Sequence, residues 1–343
     1  LLRADLDPAA LLAQAVDPDG QPLDLPPRVR ERLAAPDLAA RAQRLESLAQ
    51  QHGLSLLTPS DDAYPQRLAA IDGRPLVLFC RGRVEALADE AAIAVVGSRT
   101  PTPYGHDAAV ELARTLARAG TVLWSGLARG IDAIAHDQAL AAGRPTVAVL
   151  AGGLDTVYPP EHAALAERIV AGGGCLIGEL PPGQRARRGH FVRRNRILAA
   201  GSRAVLVVEG SLTSGALHTA RFAADCGGDV FAVPGPWRSE RSQGCHRLIA
   251  EGAGIVESAD GLLQALGLTS NTPTAQRFAR CGDEARVLAL LHSGPRPTDL
   301  LRRESGLEPA AFLRALFALE GRAEVQRLPG DLWRVGAAAD ERR

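Results

Sequence analysis

An arginine-rich segment around one aromatic residue carries the most informative chemistry in the sequence. Residues 181–208 contain seven arginines and no aspartate or glutamate, although the formal net charge of the chain is zero. Arginine binds phosphate through a planar fork of donors, and an aromatic ring such as that of Phe191 lets a base stack. A solvated basic loop with Phe191 in the core is the alternative, but such a loop usually mixes charges of both signs. The segment therefore favours a nucleic-acid surface. Its arginines are Arg185, Arg187, Arg188, Arg193, Arg194, Arg196 and Arg203, and His190 and Asn195 lie among them.

A second candidate is the turn Gly97-Ser98-Arg99, which follows an apolar run at residues 93–96. A glycine allows a ligand to approach the backbone, and a serine hydroxyl near the start of a helix suits an anion. Arg99 adds two donors that can clamp a phosphate. The turn lacks the G-x-G-x-x-G pattern of dinucleotide-binding folds. A tight turn with an arginine on the surface is the alternative.

Two further glycine-containing loops have the composition of phosphate-binding turns. Gly126 lies in residues 125–132, where it would bring the backbone close to a ligand. Ser214-Gly215 open a predicted helix, where they would offer hydroxyl and backbone N–H donors. In the alternative interpretation, Asp132 and Ser214 only cap the helices that follow them.

The elements that must position these residues form one α/β region. Short apolar runs of β type alternate with helical segments, which predicts a parallel sheet covered by helices on both faces. The predicted strands are residues 93–96, 122–124, 146–150, 175–177, 204–208, 230–233 and 254–256. Ligands bind beyond the carboxyl ends of such strands, so the candidate loops converge on one edge. The fold class is an extended Rossmann-like α/β core.

The flanking regions differ from this core, which we assign to residues 89–267. Residues 1–88 predict a small helical domain that ends in a strand at residues 76–80. Residues 268–283 are polar and rich in turn formers, as in a linker. Residues 284–335 predict three helices and a hairpin, the pattern of a winged helix, and residues 336–343 form a tail.

Composition limits the class of protein. Hydrophobic residues make up 46% and charged residues 23% of the chain, which is ordinary for a globular protein. No apolar run approaches the ~18 residues of a membrane helix. The five cysteines form no C-x-x-C pair, which argues against zinc and against a disulfide framework. We expect no metal, no cofactor, no membrane association and a cytoplasmic location.

Six segments resemble the DNA-processing protein A (DprA/Smf) family, in the family's order and across nearly the whole core. They are VVGSRTPTPYG at 95–105, SGLARGIDAIAH at 125–136, AGGLDTVYPPEH at 151–162, FVRRNRILAAGS at 191–202, EGSLTSGALHTA at 209–220 and FAVPG at 231–235. Members often carry an N-terminal helical domain of the sterile-alpha-motif (SAM) type and a C-terminal winged helix. The resemblance implies a protein without catalytic residues that binds single-stranded DNA, protects incoming strands and loads the RecA recombinase during natural transformation.

The resemblance also implies roles for individual residues. Gly97-Ser98-Arg99 and Ser214-Gly215 would hold phosphate, and Phe191 would stack on or wedge beside a base. Arg194-Asn195 match the family's Arg-Asn motif, and Arg188 lies where members often place a basic residue. The family's Phe-Pro pair is Phe191-Val192 here, which predicts a less rigidly held ring.

The family forms dimers, so the resemblance implies a homodimer. Its predicted interface is in the late part of the core, at His246, Leu248 and Ile249.

Two other functions stay open as alternatives. Related Rossmann phosphoribohydrolases use a P-G-G-x-G-T-x-x-E stretch, whereas residues 151–156 read AGGLDT and Pro159 stands where the catalytic glutamate would be. A winged helix that reads duplex DNA presents several polar side chains on its last helix, whereas residues 309–319 present only Arg314. Both observations disfavour these alternatives.

Overall fold

The computed structural model describes residues 37–268, 282–291, 294–321 and 324–336. The chain divides into two compact units, Leu1–Thr269 and Ser270–Arg343. Residues 1–36 of the predicted helical domain, most of the predicted linker and nearly all of the predicted tail lie outside the described residues.

A nine-stranded sheet forms the centre of the first unit. Its strands are β1 (Ser55–Leu57), β2 (Leu78–Gly82), β3 (Ile93–Val96), β4 (Leu123–Ser125), β5 (Thr146–Leu150), β6 (Cys175–Gly178), β7 (Ala204–Val207), β8 (Asp229–Ala232) and β9 (Gly254–Ile255). The strand order is β1-β2-β6-β5-β4-β3-β7-β8-β9. All pairs among β3–β9 are parallel, as the sequence predicts.

Helices lie on both faces of this sheet. They are α1 (Leu38–Gln51), α2 (Gln66–Ala69), α3 (Pro103–Arg118), α4 (Ile131–Ala141), α5 (Ala163–Ala171), α6 (Arg188–Gly201), α7 (Gly215–Asp225), α8 (Gln243–Ala250) and α9 (Ala259–Ala265). Alternate residues of β3 pack into two different clusters, with Ile93 and Val95 in one and Ala94 and Val96 in the other. Because both faces are covered, the strand is apolar throughout.

The structure corrects the boundary predicted at residue 88. Strands β1 and β2 precede it, yet β2 pairs antiparallel with β6 and β1 pairs antiparallel with β2. Residues 55–82 therefore extend the core sheet, and the strand predicted at 76–80 is an edge element of that sheet. Within residues 37–88, α1 is the longest helix and agrees with the helical segment predicted for this region.

The order of the strands creates a crevice beside β3. The chain moves from β3 through β4 and β5 to β6 on one side, then returns to β7 on the other side of β3. Loops that leave β3 and β7 therefore diverge, which is the topological switch point where open α/β sheets bind ligands. The turn Gly97-Ser98-Arg99 and residues 208–214 lie at this point.

The second unit has the elements of a winged helix. They are α10 (Gly282–Leu291), β10 (Arg296–Pro297), α11 (Thr298–Ser305), α12 (Pro309–Gly321), β11 (Val325–Leu328) and β12 (Leu332–Val335), with strand order β10-β12-β11. Phe312 and Trp333 are buried in its core, and the Trp333 indole N–H donates to the Thr298 hydroxyl at 2.8 Å. This confirms the predicted winged helix and adds β10, which the sequence pattern did not indicate.

Candidate nucleic-acid interface

The loop after β3 is held in place by a buried glutamate from the neighbouring strand's loop. Both carboxylate oxygens of Glu209 accept from the backbone N–H of Thr102 at 3.2 Å, and one accepts from the Thr102 hydroxyl at 2.5 Å. The Thr102 side chain in turn accepts from the Gly105 N–H at 3.1 Å and caps α3. These hydrogen bonds fix the bases of the two loops that flank the crevice to each other.

The turn Gly97-Ser98-Arg99 is tightly packed at its base and exposed at its tip. A Cβ on Gly97 would lie 2.8 Å from Ile131 Cγ1 and 2.9 Å from the Glu209 carbonyl oxygen, so packing requires this glycine. The Ser98 hydroxyl accepts from the Thr100 N–H and from Arg241 Nη1, each at 3.2 Å. Only Arg99 projects as an exposed side chain from the three.

Phe191 lies on the first part of α6 and faces this turn. The Arg99 guanidinium carbon is 5.6 Å from the centre of the Phe191 ring, which is cation–π distance. Tyr158 packs edge-on against the same ring, with 5.9 Å between ring centres and 66° between ring planes. The ring is thus held by Tyr158 and Arg99 where the family pattern would use a proline. Residues far apart in sequence meet here to form a half-exposed aromatic and cationic surface.

Three arginines at the start of α6 and in the loop before it are exposed. Within the part of the chain that the structure describes, Arg185, Arg187 and Arg188 have no carboxylate within ion-pair distance. The Arg187 backbone N–H donates to His190 Nδ1 at 3.3 Å, which ties the first turn of the helix together. Their charges are therefore directed to solvent beside Phe191, in the position that phosphate contacts need.

Two later arginines of the segment are paired with a glutamate. Glu179 accepts from Arg196 at 2.7 Å and lies 3.1 Å from Arg193. The segment from residue 181 has no acidic residue in sequence, but Glu179 lies two positions before it and neutralises part of its charge in space. The positive field is accordingly narrower than the sequence predicts and centres on the first turn of α6.

The structure corrects the roles predicted for Arg194 and Gly126. The Arg194 side chain is 7% exposed and lies against Gly126, where an added Cβ would be 1.7 Å from Arg194 Nη1. The packing of the guanidinium therefore requires a glycine at position 126. Asp132, also buried, supplies the opposite charge, and its carboxylate accepts from the N–H groups of Gly126 and Ala128 at 3.0 and 3.3 Å. Arg194 thus packs against the start of the loop after β4 and supports that loop.

Burial governs the electrostatics of this pair. Loss of hydration lowers the pKa of Arg194 to about 10, against the attraction of Asp132, and the nearby Arg99 charge lowers it further. Burial also raises the pKa of Asp132, while Arg194 and two backbone N–H groups oppose that rise. At neutral pH the guanidinium stays protonated, so a buried positive charge lies near that of Arg99.

Asn195 and Ser214 act as structural connectors. Asn195 is 8% exposed, and its side-chain amide donates to the Gly215 carbonyl oxygen at 3.2 Å. The Ser214 hydroxyl accepts from the Ala216 N–H at 3.3 Å and caps α7, as the alternative interpretation predicted. Gly215 is exposed with open space around its Cα. Of these three residues, Gly215 is the one that presents backbone to an approaching ligand.

The residues predicted at a dimer interface lie in or near the core of the first unit. Leu248 is 5% exposed and packs in the main core cluster, with Ile249 against the same cluster. The His246 ring nitrogen Nε2 lies 3.0 Å from the Gly235 carbonyl oxygen. Burial removes Leu248 from any surface that a partner subunit could contact, which corrects that prediction, whereas His246 and Ile249 keep partial exposure.

Three residues of this region carry no local sequence signal. Glu179, Glu209 and Arg241 each act through a partner that is distant in the chain. A window extended by two residues would include Glu179, but nothing in the sequence indicates that Arg241 donates to Ser98 and Thr100. Within the described ranges, no group of three histidine, cysteine or acidic side chains is arranged to hold a metal ion. In the same ranges, no helix is long and apolar enough to cross a bilayer.

The fold and this edge define a class of protein: a Rossmann-like core joined to a winged helix. A family model described as DNA recombination-mediator protein A matches residues 55–267, and a model of the DprA winged helix domain matches residues 271–331. The chain belongs to the DprA/Smf family. The match begins at residue 55, consistent with the place of β1 and β2 in the core sheet.

Relatives and solved structures agree with this assignment. A Mycobacterium tuberculosis protein that carries the DprA name is 39% identical, covering 98% of this chain and 94% of the relative. Protein Smf of Escherichia coli is 36% identical over 84% of this chain and 79% of its own. The X-ray structure of DprA from Streptococcus pneumoniae matches with a TM-score of 0.59 and 34% identity, over 68% of this chain and 83% of that one.

A further solved structure is that of DNA processing protein A from Helicobacter pylori, described as giving insight into a single-stranded DNA binding mode. It matches with a TM-score of 0.57 and 28% identity, over 62% of this chain and 95% of that one. The family model locates the shared core at residues 55–267, within the first unit.

Proposed function

We propose that this protein binds single-stranded DNA at the edge of its sheet, protects incoming strands and loads RecA during natural transformation and recombination. The observation that carries the proposal is the surface formed by Phe191, Arg99 and the first turn of α6. There an aromatic ring, a guanidinium in contact with it and unpaired arginines lie together at the switch point of the sheet.

The chemistry of this surface fits a single strand better than a duplex. Bases of a single strand are free to stack on an aromatic ring, and stacking is worth about 1–3 kcal/mol per base. Arg185, Arg187 and Arg188 lie beside Phe191 and would contact the phosphates that follow such a base. In a duplex the bases are already stacked and paired, so the ring of Phe191 would have no partner.

A gel-shift experiment with the full chain tests the proposal. We expect tighter binding of oligo-dT than of a duplex of equal length, and a linear decrease of log K with log salt concentration. Equal or tighter binding of the duplex across salt concentrations would contradict the proposal.

Loading of RecA is the more specific part of the proposal, and it is supported by the match to a family described as DNA recombination-mediator protein A. We expect the protein to restore the DNA-dependent ATP hydrolysis of RecA on single strands that a single-strand-binding protein already covers. A cytoplasmic homodimer is the form we propose, with His246 and Ile249 as its accessible candidates. If the protein binds oligo-dT but does not restore ATP hydrolysis by RecA, the proposal of RecA loading is contradicted and the proposal of DNA binding is not.

The phosphoribohydrolase alternative is disfavoured by how its candidate loop is packed. The Gly153 N–H donates to the Gln184 carbonyl oxygen at 2.8 Å, and the Asp155 carboxylate accepts from the Gly183 N–H at 2.9 Å. The Gly153 N–H, a donor that a nucleotide phosphate would need, is thus engaged by Gln184, and the Asp155 carboxylate beside it would repel a phosphate. We expect no free base on incubation with nucleoside monophosphates, and its release would support the enzyme instead.

Duplex binding by the winged helix is disfavoured by the exposed face of α12. Its exposed large side chains include Leu313 at 44% and Phe317 at 59%, beside Arg314. A helix that reads the major groove presents hydrogen-bonding side chains at these places. We expect the double variant Arg302→Ala/Arg303→Ala, on α11, to keep the oligo-dT affinity of the wild type. A large loss would move the DNA site to this unit.

A further inference from the structure

The loop after β8 carries an exposed tryptophan that the surface around Phe191 does not use. The Trp237 side chain is 76% exposed, the largest exposure among the big hydrophobic side chains of the described residues. The Arg238 guanidinium carbon lies 4.7 Å from the centre of the Trp237 ring, so one face is covered by a cation. The other face of the indole is open to solvent, where a base can stack on it.

This loop is joined to the surface around Phe191 by hydrogen bonds. Arg241 Nη1 donates to the Ser98 hydroxyl at 3.2 Å and to the Thr100 hydroxyl at 2.7 Å. The Arg241 carbonyl oxygen accepts from the Gly210 N–H at 2.8 Å. Tyr104, at the start of α3, donates its hydroxyl to the Pro234 carbonyl oxygen at 2.5 Å. The loops after β3, β7 and β8 therefore form one fixed edge.

We propose that Trp237 and Arg238 form a second base-stacking platform that extends the path of single-stranded DNA beyond Phe191. The inference rests on the proposed function, because it assigns the same ligand to a neighbouring part of the same edge. A base stacks on the open face of Trp237, and Arg238 and Arg241 contact the flanking phosphates. Glu240 is the one acidic residue between these arginines, so the loop keeps a net positive charge.

The path joins two parts of one fixed edge. Arg99 of the loop after β3 lies against Phe191, Arg241 of the loop after β8 donates to Ser98 of that first loop, and Trp237 lies four residues before Arg241 in the chain. A short oligonucleotide occupies the Phe191 surface alone, whereas a longer one reaches both rings. The structure therefore assigns to Trp237 an effect on affinity that depends on oligonucleotide length.

Titrations of the full chain with oligo-dT of about 6 and about 20 nucleotides test this, since single-strand sites span about 4–16 nucleotides. We expect Trp237→Ala to weaken binding of the longer oligonucleotide by about 5- to 150-fold and to leave binding of the shorter one unchanged. Trp237→Phe restores most of the loss, because a ring is kept. Leu76→Ala, which removes an exposed side chain beside β2 at the other end of the sheet, is the matched control and leaves both affinities unchanged.

Intrinsic fluorescence gives a second readout. Trp124 and Trp333 are buried, at 0% and 3% exposure, so quenching on DNA addition reports on Trp237. We expect the longer oligonucleotide to quench the wild type and not Trp237→Ala. Unquenched fluorescence, with equal affinity of Trp237→Ala for both lengths, would overturn the second platform. If Phe191→Ala loses affinity in the same titrations, the proposed function stands; if neither variant loses affinity, the proposed function fails as well.

Discussion

Two successive turns of α6 use the same residue type in opposite ways. Its first turn exposes Arg188 beside Phe191, with solvent around the guanidinium. Its next turn buries Arg194, whose guanidinium lies against Gly126 and near Asp132. Fewer than two turns of helix separate a side chain that can bind a ligand from a side chain that supports a neighbouring loop. Residue type and closeness in sequence therefore do not identify contact residues; burial and partners do.

The difference also explains how a net-neutral chain can bind a polyanion. Acidic residues neutralise the later arginines of α6, with Glu179 near Arg193 and Arg196 and Asp132 near Arg194. The arginines at the start of α6 have no such partners among the described residues. Positive charge is thus concentrated at the surface where phosphate would lie, although the formal net charge of the whole chain is zero.

The largest expected effect on stability comes from substituting Arg194, the buried arginine of α6. Arg194→Ala leaves Asp132 buried without its opposite charge and an open space beside Gly126. We expect the free energy of unfolding to fall by up to about 3 kcal/mol, measured by urea denaturation. The matched control Arg188→Ala changes it by less than about 0.5 kcal/mol, since it removes an exposed side chain. A stable Arg194→Ala variant that loses oligo-dT affinity would show that Arg194 contacts DNA directly.

The next effect concerns the aromatic ring on the exposed side. Phe191→Ala removes the face on which a base stacks, and we expect oligo-dT binding to weaken by about 1–3 kcal/mol. The urea midpoint changes little, because the ring is half-exposed. Tyr158→Phe keeps the edge-on contact with Phe191 and retains the affinity. Wild-type affinity of Phe191→Ala, measured by fluorescence anisotropy, would remove the ring from the site.

A smaller effect comes from a histidine on the buried side. Burial, with help from His162 and Arg194, lowers the pKa of His136 to about 3 from an ordinary value of 6.5. Between these two pH values the unfolded chain binds a proton that the folded chain does not, so stability is present above pH 6.5 and is lost as the pH falls. At one pH unit below 6.5 the loss is about 1.4 kcal/mol.

The variant His136→Asn cannot bind that proton. We expect its urea midpoint to change less than that of the wild type between pH 7.5 and pH 5.5, values that straddle the ordinary histidine pKa of about 6.5. Comparing each variant with itself across pH separates this effect from the lost hydrogen bond between His136 and Thr146. Identical pH dependence in both proteins would mean that His136 is protonated in the folded state.

Much of the fold follows from local sequence patterns. The apolar runs that become β3 and β5 predict their strands to the residue, and the winged helix is equally clear in α11 and β12. Local patterns work here because a strand buried on both faces must be apolar throughout. The antiparallel pairing of β1 and β2 is not predicted, because a strand of three residues has no period to detect.

The site is only partly predictable for a related reason. The sequence indicates which segment is basic and aromatic, and it places Phe191 and Arg99 at one edge of the sheet. It does not indicate which arginines are neutralised, because their partners Glu179 and Asp132 lie in other segments. Tyr158 likewise becomes part of the site only when the loop after β5 reaches α6.

The salt dependence of oligo-dT affinity tests the central claim most directly. Log K should fall linearly with log salt concentration, and loss of one phosphate contact reduces the slope by about 0.7. We predict that reduction for Arg188→Ala and for Arg99→Ala, with unchanged urea midpoints. Arg118→Ala removes an exposed charge at the end of α3, on the opposite edge of the sheet, and keeps the wild-type slope. Equal slopes for all four proteins would contradict the claim that the first turn of α6 and the turn after β3 bind the phosphates of single-stranded DNA.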